Sequence, residues 1–460
     1  VTVETCSLSD WTLDDRREPR IRVGLVLPED AMPEVSFVLP EDRCRACADG
    51  AEVRLAVKAG RVTAEGRRVR LVAGAARVGP AERIVLRTGG DAPLEAGAGV
   101  RLTSVVAGRG FHWQTRIEPC FVGDLEFLAR DGRLVVVNEL PVEDYLTGVI
   151  SGEMSGECPL EFLKSQCVVA RAWVLAHTEP KHPDLPIDRC NDDCCQRYQG
   201  TDDLTPTVLE AVRRTRGQVL LDPQGRLIDA NYSKNCGGII EAPEHVWGVA
   251  KPGQRAAPDA PPGSPARRFF PVTEENLQEY LTGTWLADTD VFCSPTVVPE
   301  RDLRRYLGRV DDGGGHFRWR FEYRRQELQD VLRRKLEARL EGGLERLEGL
   351  AVLARGCSGR ARRLRIDYRD ESGAARQLVL ESEYAIRDAL HEKFLYSSAV
   401  AIRTVGDPAG PPEHVILTGA GWGHGAGLCQ IGALGMALHG YTCEQIVRHY
   451  FEPAELRACY

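Results

Sequence analysis

Two hydrophobic periods divide the chain. From residue 20 to 140, apolar and polar residues alternate in short β-branched runs, IRVGLVL, EVRLAVK, RVRLVAG, RIVLRT and RLTSVV, broken by Gly and Asp. That pattern predicts strands with one face buried. The run FHWQTRIEPCFVGDLEFLARDGRLVVVNEL continues it, with an Asp-Gly hairpin signal at 131–132. At Leu160 the period changes: Leu160, Leu163, Cys167, Val168, Ala172 and Leu175 recur at three- and four-residue steps. This predicts a helix, with Pro159 at its first position and Glu161 in its first turn. The residues just before it read as a polar lead-in and a Gly-rich turn, Gly152 to Gly156, which carries Glu153.

Further on, DLTPTVLEAVRRTRGQVLLDPQGRLIDANYSKNCGG predicts helix, strand, turn and strand. KPGQRAAPDAPPGSP, residues 251–265, is Pro-rich and predicts an exposed linker. From 266 to 350 acids and bases alternate at helical spacing, as in RQELQDVLRRKLEARLEGGLERL, a solvated amphipathic face. RRLRIDYRD and RQLVLES then form a hairpin, and CEQIVRHYF a short closing helix. The expected fold is α+β. It has an N-terminal lead (1–20), a β-rich domain (21–140), a mixed central core with a long helix (141–250), a linker (251–265), an inserted helical subdomain (266–350) and a C-terminal part returning to the core (351–460).

With 460 residues the chain has room for two or three domains. A net charge of −8 and a pI near 5.8 leave no basic field for nucleic acid. No apolar run approaches membrane-spanning length. The first twenty residues lack the apolar core of a secretory signal. A valine at position 1 fits a chain that starts late, has lost its signal or is exported by another route.

Candidate chemistry falls in three places. Lys164 and Arg171 are seven apart and so share one helix face two turns apart. A carboxylate, Glu153, on a loop beside two fixed cations is a catalytic layout; the same residues also read as surface charges and a turn residue. Second, His177, His182, Cys190, Cys194 and Cys195 crowd one polar loop. Zinc favours tetrahedral Cys/His ligation, so His182, Cys190, Cys194 and Cys195 make a ligand set for one structural zinc. Disulfides to Cys158, Cys167 or Cys236 are the alternative. There are fifteen cysteines, an odd number, and Cys44-x2-Cys47 has no second CxxC nearby, so a disulfide or buried thiols are expected there. Third, GAGWGHGAGLCQIGALG at 419–435 frames Trp422, His424 and Gln430 with glycines that permit close backbone approach.

EDYLTGVISGEM, LKSQCVVARAW and GWGHGAGLCQIGALGMALHG together resemble the signatures of the SpoIID/LytB family, the stage II sporulation protein D and amidase-enhancer group. IRVGLV, NYSKNCGGIIEAPEHVW, FRW and LYSSAV follow in the family's order, so the likeness spans roughly 20–250 and 315–455. It implies a lytic transglycosylase that cuts the β-1,4 bond after N-acetylmuramic acid in denuded glycan strands and leaves a 1,6-anhydro end. Glu153 would be the acid/base, with Glu157 ranked second. Lys164 and Arg171 would hold sugar oxygens or the lactyl carboxylate. Trp422 would stack on a sugar, His424 would line the cleft and Gln430 would brace its loop.

Some members carry a Cys/His zinc site in this region, and no organic cofactor is expected. The implied partners are peptidoglycan glycan strands and a cell-wall amidase, and the implied place is the cell envelope. Two other readings stand beside this one. The chain could be a non-catalytic peptidoglycan-binding activator of an amidase. It could also be a cytosolic metal or redox protein, which the cysteines and the absent signal suggest.

Overall fold

The computed structural model describes residues 5–40, 44–88, 94–110, 114–176, 181–283, 290–308, 315–407 and 410–460. The chain forms two compact units. The first comprises Val1–Leu220, Arg305–Asp311 and Leu456–Tyr460; the second comprises Leu221–Arg304 and Asp312–Glu455.

The first unit begins as the alternation predicts. One sheet runs in the order Thr5–Ser7, Glu18–Val26, Arg133–Pro141, Asp124–Arg130, Arg83–Arg87, Arg45–Ala48, Ala51–Arg54. A second is built from Cys120–Phe121, Val100–Leu102, Glu34–Val38, Ala59–Glu65, Arg68–Ala73 and Ala76–Ala81. Phe37 of the second sheet meets Phe127 of the first, ring centroids 6.5 Å apart. The Asp-Gly signal is a two-residue hairpin turn, with Asp131 at φ 51° and Gly132 at φ 77°.

The last strand of this sheet leads directly into helix α1, Val142–Glu153, and then α2, Leu160–Ala176. The expected lead-in and turn at 141–158 are therefore corrected. VEDYLTGVISGE is a helix buried along most of its length, with Val142, Tyr145, Leu146, Val149 and Ile150 at 0% exposure. Its two glycines hid the period: Gly148 and Gly152 mark places where another chain segment lies close.

In the second unit, the segment expected to be a helical insertion also supplies strands. Arg318–Arg324 pairs with His414–Ala420, and Arg346–Arg355 pairs with Ala361–Arg369. Trp319, Leu328, Leu332, Leu347, Leu364, Ile366 and Leu417 share one core. The Pro-rich stretch 251–265 is likewise not an exposed linker. Ala257–Pro258 pairs with Ile239–Ile240, and Asp259 is 0% exposed. Composition pointed to a linker; the ladder and the buried carboxylate decide otherwise. Among the described residues no helix is long and apolar enough to cross a membrane.

Candidate functional site

Glu153 is the last residue of α1 and is 8% exposed. Its Oε1 accepts the backbone N–H of Arg197 at 3.2 Å. The neighbouring Gly152 is required by the same approach: a Cβ there would lie 2.6 Å from the Arg197 carbonyl oxygen. Glu157, the runner-up, sits on the surface in a 3.4 Å ion pair with Arg305. Of the two, only Glu153 is a shielded carboxylate.

The cations expected beside it have different environments. Lys164 is partly exposed and pairs with Glu161 at 2.8 Å, one turn back on its own helix. Arg171 is corrected: it is 0% exposed and cannot reach a ligand in solvent. Its Nε and Nη2 donate to the two oxygens of Glu143 at 2.8 and 2.7 Å, and its Nη1 donates to the Gln218 carbonyl at 3.0 Å. Glu143 also accepts from Tyr460 Oη at 2.8 Å and Gly217 N at 3.1 Å. Burial alone would push this carboxyl up. The Arg171 charge and the bonds from Arg171, Tyr460 and Gly217 outweigh it and hold Glu143 below its usual value. The next residue behaves oppositely: burial, then the carboxylates of Glu18 and Glu143, push Asp144 up to about 6. Glu143 and Asp144 were missed because their helix was not seen; an acidic pair in the first turn was the available signal.

His182, Cys190, Cys194 and Cys195 are brought together as expected, their ligand atoms all within 4.8 Å of one another. His182 Nε2 lies 3.9 Å from both Cys194 Sγ and Cys195 Sγ. Cys190 Sγ and Cys194 Sγ are 3.0 Å apart, inside the ~3.8 Å edge of a tetrahedron with ~2.3 Å zinc–sulfur bonds. Metal entry would draw those two sulfurs apart. The Cys194 and Cys195 sulfurs push His182 up to about 10, and Cys194 is held well below the usual thiol range by Cys190, Cys195 and His182. No disulfide forms among the described residues, so the links to Cys158, Cys167 or Cys236 and a Cys44–Cys47 bridge are absent. His177 lies outside the described residues.

The cysteine loop is not remote from Glu153. Two residues past Cys195 it supplies the Arg197 N–H to that carboxylate. Between them Gln196 accepts from Tyr145 Oη of α1 at 3.0 Å and donates to the Ala170 carbonyl of α2 at 3.3 Å. Asp192 fixes the other side, accepting from Gly108 N at 2.6 Å and Arg109 N at 3.0 Å.

Trp422, His424 and Gln430 belong to the second unit. Trp422 is half-buried and stacks on His316, centroids 4.4 Å apart, with Tyr396 at 4.9 Å. His424 packs on Trp247 at 4.9 Å, and its Nδ1 accepts the Ala426 N–H at 3.1 Å. Burial, with the charges of Arg360 and Arg387, pushes His424 down to about 3, so it is neutral and a poor base at ordinary pH. Gln430 is 1% exposed at the start of the helix Gln430–Leu438, which fits a bracing role and leaves no surface for a substrate.

Residues 130–221, which hold α1, α2 and the cysteine loop, match the family model of the stage II sporulation protein SpoIID. Through this segment the chain is similar to the SpoIID/LytB family. The SpoIID match ends at 221; residues 278–427 match a domain of unknown function, DUF8618, which takes in most of the Gly-rich stretch. An uncharacterized protein of Brachyspira hyodysenteriae (strain ATCC 49526 / WA1) is 26% identical over 336 residues, 73% of this chain and 72% of that protein. The amidase enhancer of Bacillus subtilis (strain 168) is 37% identical over 107 residues, 23% of this chain and 14% of that protein.

Proposed function

We propose that the chain acts on the bacterial cell wall from an extracytoplasmic position. More closely, we propose that it is a lytic transglycosylase of peptidoglycan glycan strands with Glu153 as its acid and base. The observation that carries this reading is the shielded carboxylate at the end of α1, inside the SpoIID segment, with Oε1 held by one backbone N–H. A transglycosylase needs one such group. Glu153 would protonate the glycosidic oxygen as the bond to C1 breaks. It would then take the proton of the same sugar's 6-hydroxyl as that oxygen bonds to C1, giving the 1,6-anhydro ring and restoring the acid. A hydrolase instead wants two carboxylates at a set separation. Lys164 is the cation near enough to solvent to meet a ligand.

The geometry of His182, Cys190, Cys194 and Cys195 fits one zinc ion, and in this reading these four residues hold it. The ion would supply a closed structural crosslink in place of an apolar core for the loop. Through Gln196 and Arg197 the loop would set the position of Glu153.

The likeness to the amidase enhancer favours a second reading, a glycan-binding activator of a cell-wall amidase. Incubation with amidase-treated glycan strands separates the two. Anhydro-sugar ends detected by mass spectrometry support the enzyme. Intact strands, with faster peptide release from untreated peptidoglycan when the protein is added to an amidase, support the activator.

A further inference from the structure

A second cluster of metal-type side chains lies in the second unit, outside the SpoIID match. Cys236, Asp259, Cys293 and Cys429 come from four well-separated stretches of sequence, yet their ligand atoms all lie within 4.8 Å of one another. All four are buried, at 1%, 0%, 2% and 1% exposure. We propose that Cys236, Cys293, Cys429 and Asp259 form a second metal site, binding one structural zinc ion through three sulfurs and one carboxylate oxygen.

The spacing is that of ligands around a single ion. Cys236 Sγ is 3.6 Å from Cys293 Sγ and 3.2 Å from Asp259 Oδ2. A disulfide would need about 2.05 Å. Zinc with bonds of ~2.3 Å to sulfur and ~2.0 Å to oxygen gives tetrahedral edges of ~3.8 and ~3.5 Å. A polynuclear iron–sulfur cage does not fit inside ligands this close. Soft thiolates in a compact four-fold set select zinc among common divalent ions.

The two carboxylate oxygens of Asp259 are divided in function. Oδ1 accepts from Tyr450 Oη at 2.9 Å and lies 3.2 Å from His449 Nε2. Oδ2 faces the sulfurs. Outer partners that fix one oxygen while the other points inward are what a ligating carboxylate requires. With thiols alone, a wholly buried carboxylate would face weak S–H donors, a costly arrangement.

The sulfurs are also prepared to carry charge. Gly238 N donates to Cys236 Sγ at 3.4 Å. Cys236 N and Gly432 N donate to Cys429 Sγ at 3.2 and 3.3 Å. Cys429 caps the helix Gln430–Leu438, where the dipole favours a thiolate. Gly432 is obligatory here, because a Cβ would overlap Asp259 Oδ2 and Tyr450 Oη. Arg360 and Arg318 donate to the carbonyls of Cys236 and Gly237 at 3.3 and 2.9 Å, placing positive charge beside an anionic centre.

The test is metal content per folded chain after growth with zinc and extensive dialysis. We expect two zinc ions in the wild type by native mass spectrometry, and one in the variant His182→Ala/Cys194→Ser/Cys195→Ser. X-ray absorption on that variant should show three sulfurs at ~2.3 Å and one oxygen at ~2.0 Å. Adding Cys293→Ser and Asp259→Asn should remove this ion. If those substitutions prevent folding, the absorption spectrum decides alone, since it leaves the second cluster intact. A wild type holding a single ion that survives loss of the first cluster also supports the proposal, and counts against zinc on the first cluster only. A folded variant lacking the first cluster and holding no metal overturns it. So does a Cys236–Cys293 disulfide found by non-reducing peptide mapping.

Discussion

Arg171→Ala tests whether the central helix presents a cation to substrate or uses it to neutralise the interior. In the wild type Glu143 accepts four hydrogen bonds, two from Arg171, one from Tyr460 and one from Gly217. The substitution leaves a buried carboxylate with two neutral donors and a cavity where a fully buried guanidinium stood. Removing one partner of a buried pair costs about 3–5 kcal/mol, whereas an exposed pair is worth about 0–1. For a unit of this size that loss lowers Tm by roughly 6–20 °C. Near-UV circular dichroism of the melt is the assay, because Trp173 lies on α2 under the Arg189 guanidinium, 4.8 Å from its ring centroid. The pair Arg171→Met/Glu143→Leu should recover most of the loss, since the orphaned charge goes with it. The sign with pH follows from the depressed Glu143 carboxyl. Its stabilisation is complete above the ordinary carboxylate range and is lost as pH falls through the folded value. A Tm for Arg171→Ala within about 2 °C of wild type, together with lost glycan binding, would refute the buried-pair argument and restore Arg171 to the substrate.

Three further outcomes are expected. Glu153→Gln keeps shape and the Arg197 contact, so glycan pelleting should survive while anhydro-product formation falls by about 10²–10⁴; near-wild-type cleavage removes Glu153 from the mechanism. Lys164→Ala, which breaks one partly exposed pair, should leave Tm within about 2 °C and weaken glycan binding; unchanged binding makes Lys164 a surface charge. Asp144 is raised to about 6, so its protonated form stabilises the fold below the ordinary aspartate range and that contribution disappears as pH rises through about 6. Asp144→Asn should therefore be more stable than wild type at pH 7.5 and converge with it at pH 4 in urea titrations.

Most strands could be read from the chain because their apolar residues alternate, and α2 because Pro159 marks its start and its apolar residues recur at three- and four-residue steps, although it too is buried along most of its length. α1 could not, because Gly148 and Gly152 interrupt its period and mimic a turn. The grouping of His182, Cys190, Cys194 and Cys195 was legible from residue type and local spacing, whereas Glu153 was singled out by the family resemblance, and its role stays a proposal. Arg171 was misplaced because sequence spacing assigns a face but not what covers it; Glu143, Gly217 and Tyr460 cover this one. The Cys236 cluster was invisible for a related reason. Its ligands are spread from 236 to 429, and Asp259 lies in a stretch whose prolines and glycines announce a linker.

The bond from Tyr460 to Glu143 spans 317 positions, and that span has a cost in time. A ribosome adding about 5–20 residues per second needs roughly 15–60 s to pass from one to the other. During that interval α1 and α2 exist with Glu143 one donor short, while residues 221–455, which hold the whole second unit and the Arg305–Asp311 segment of the first, are still being made. Slow codons within 221–455 would lengthen the exposure of the nascent first unit to proteases and chaperones without altering one atom of the finished protein.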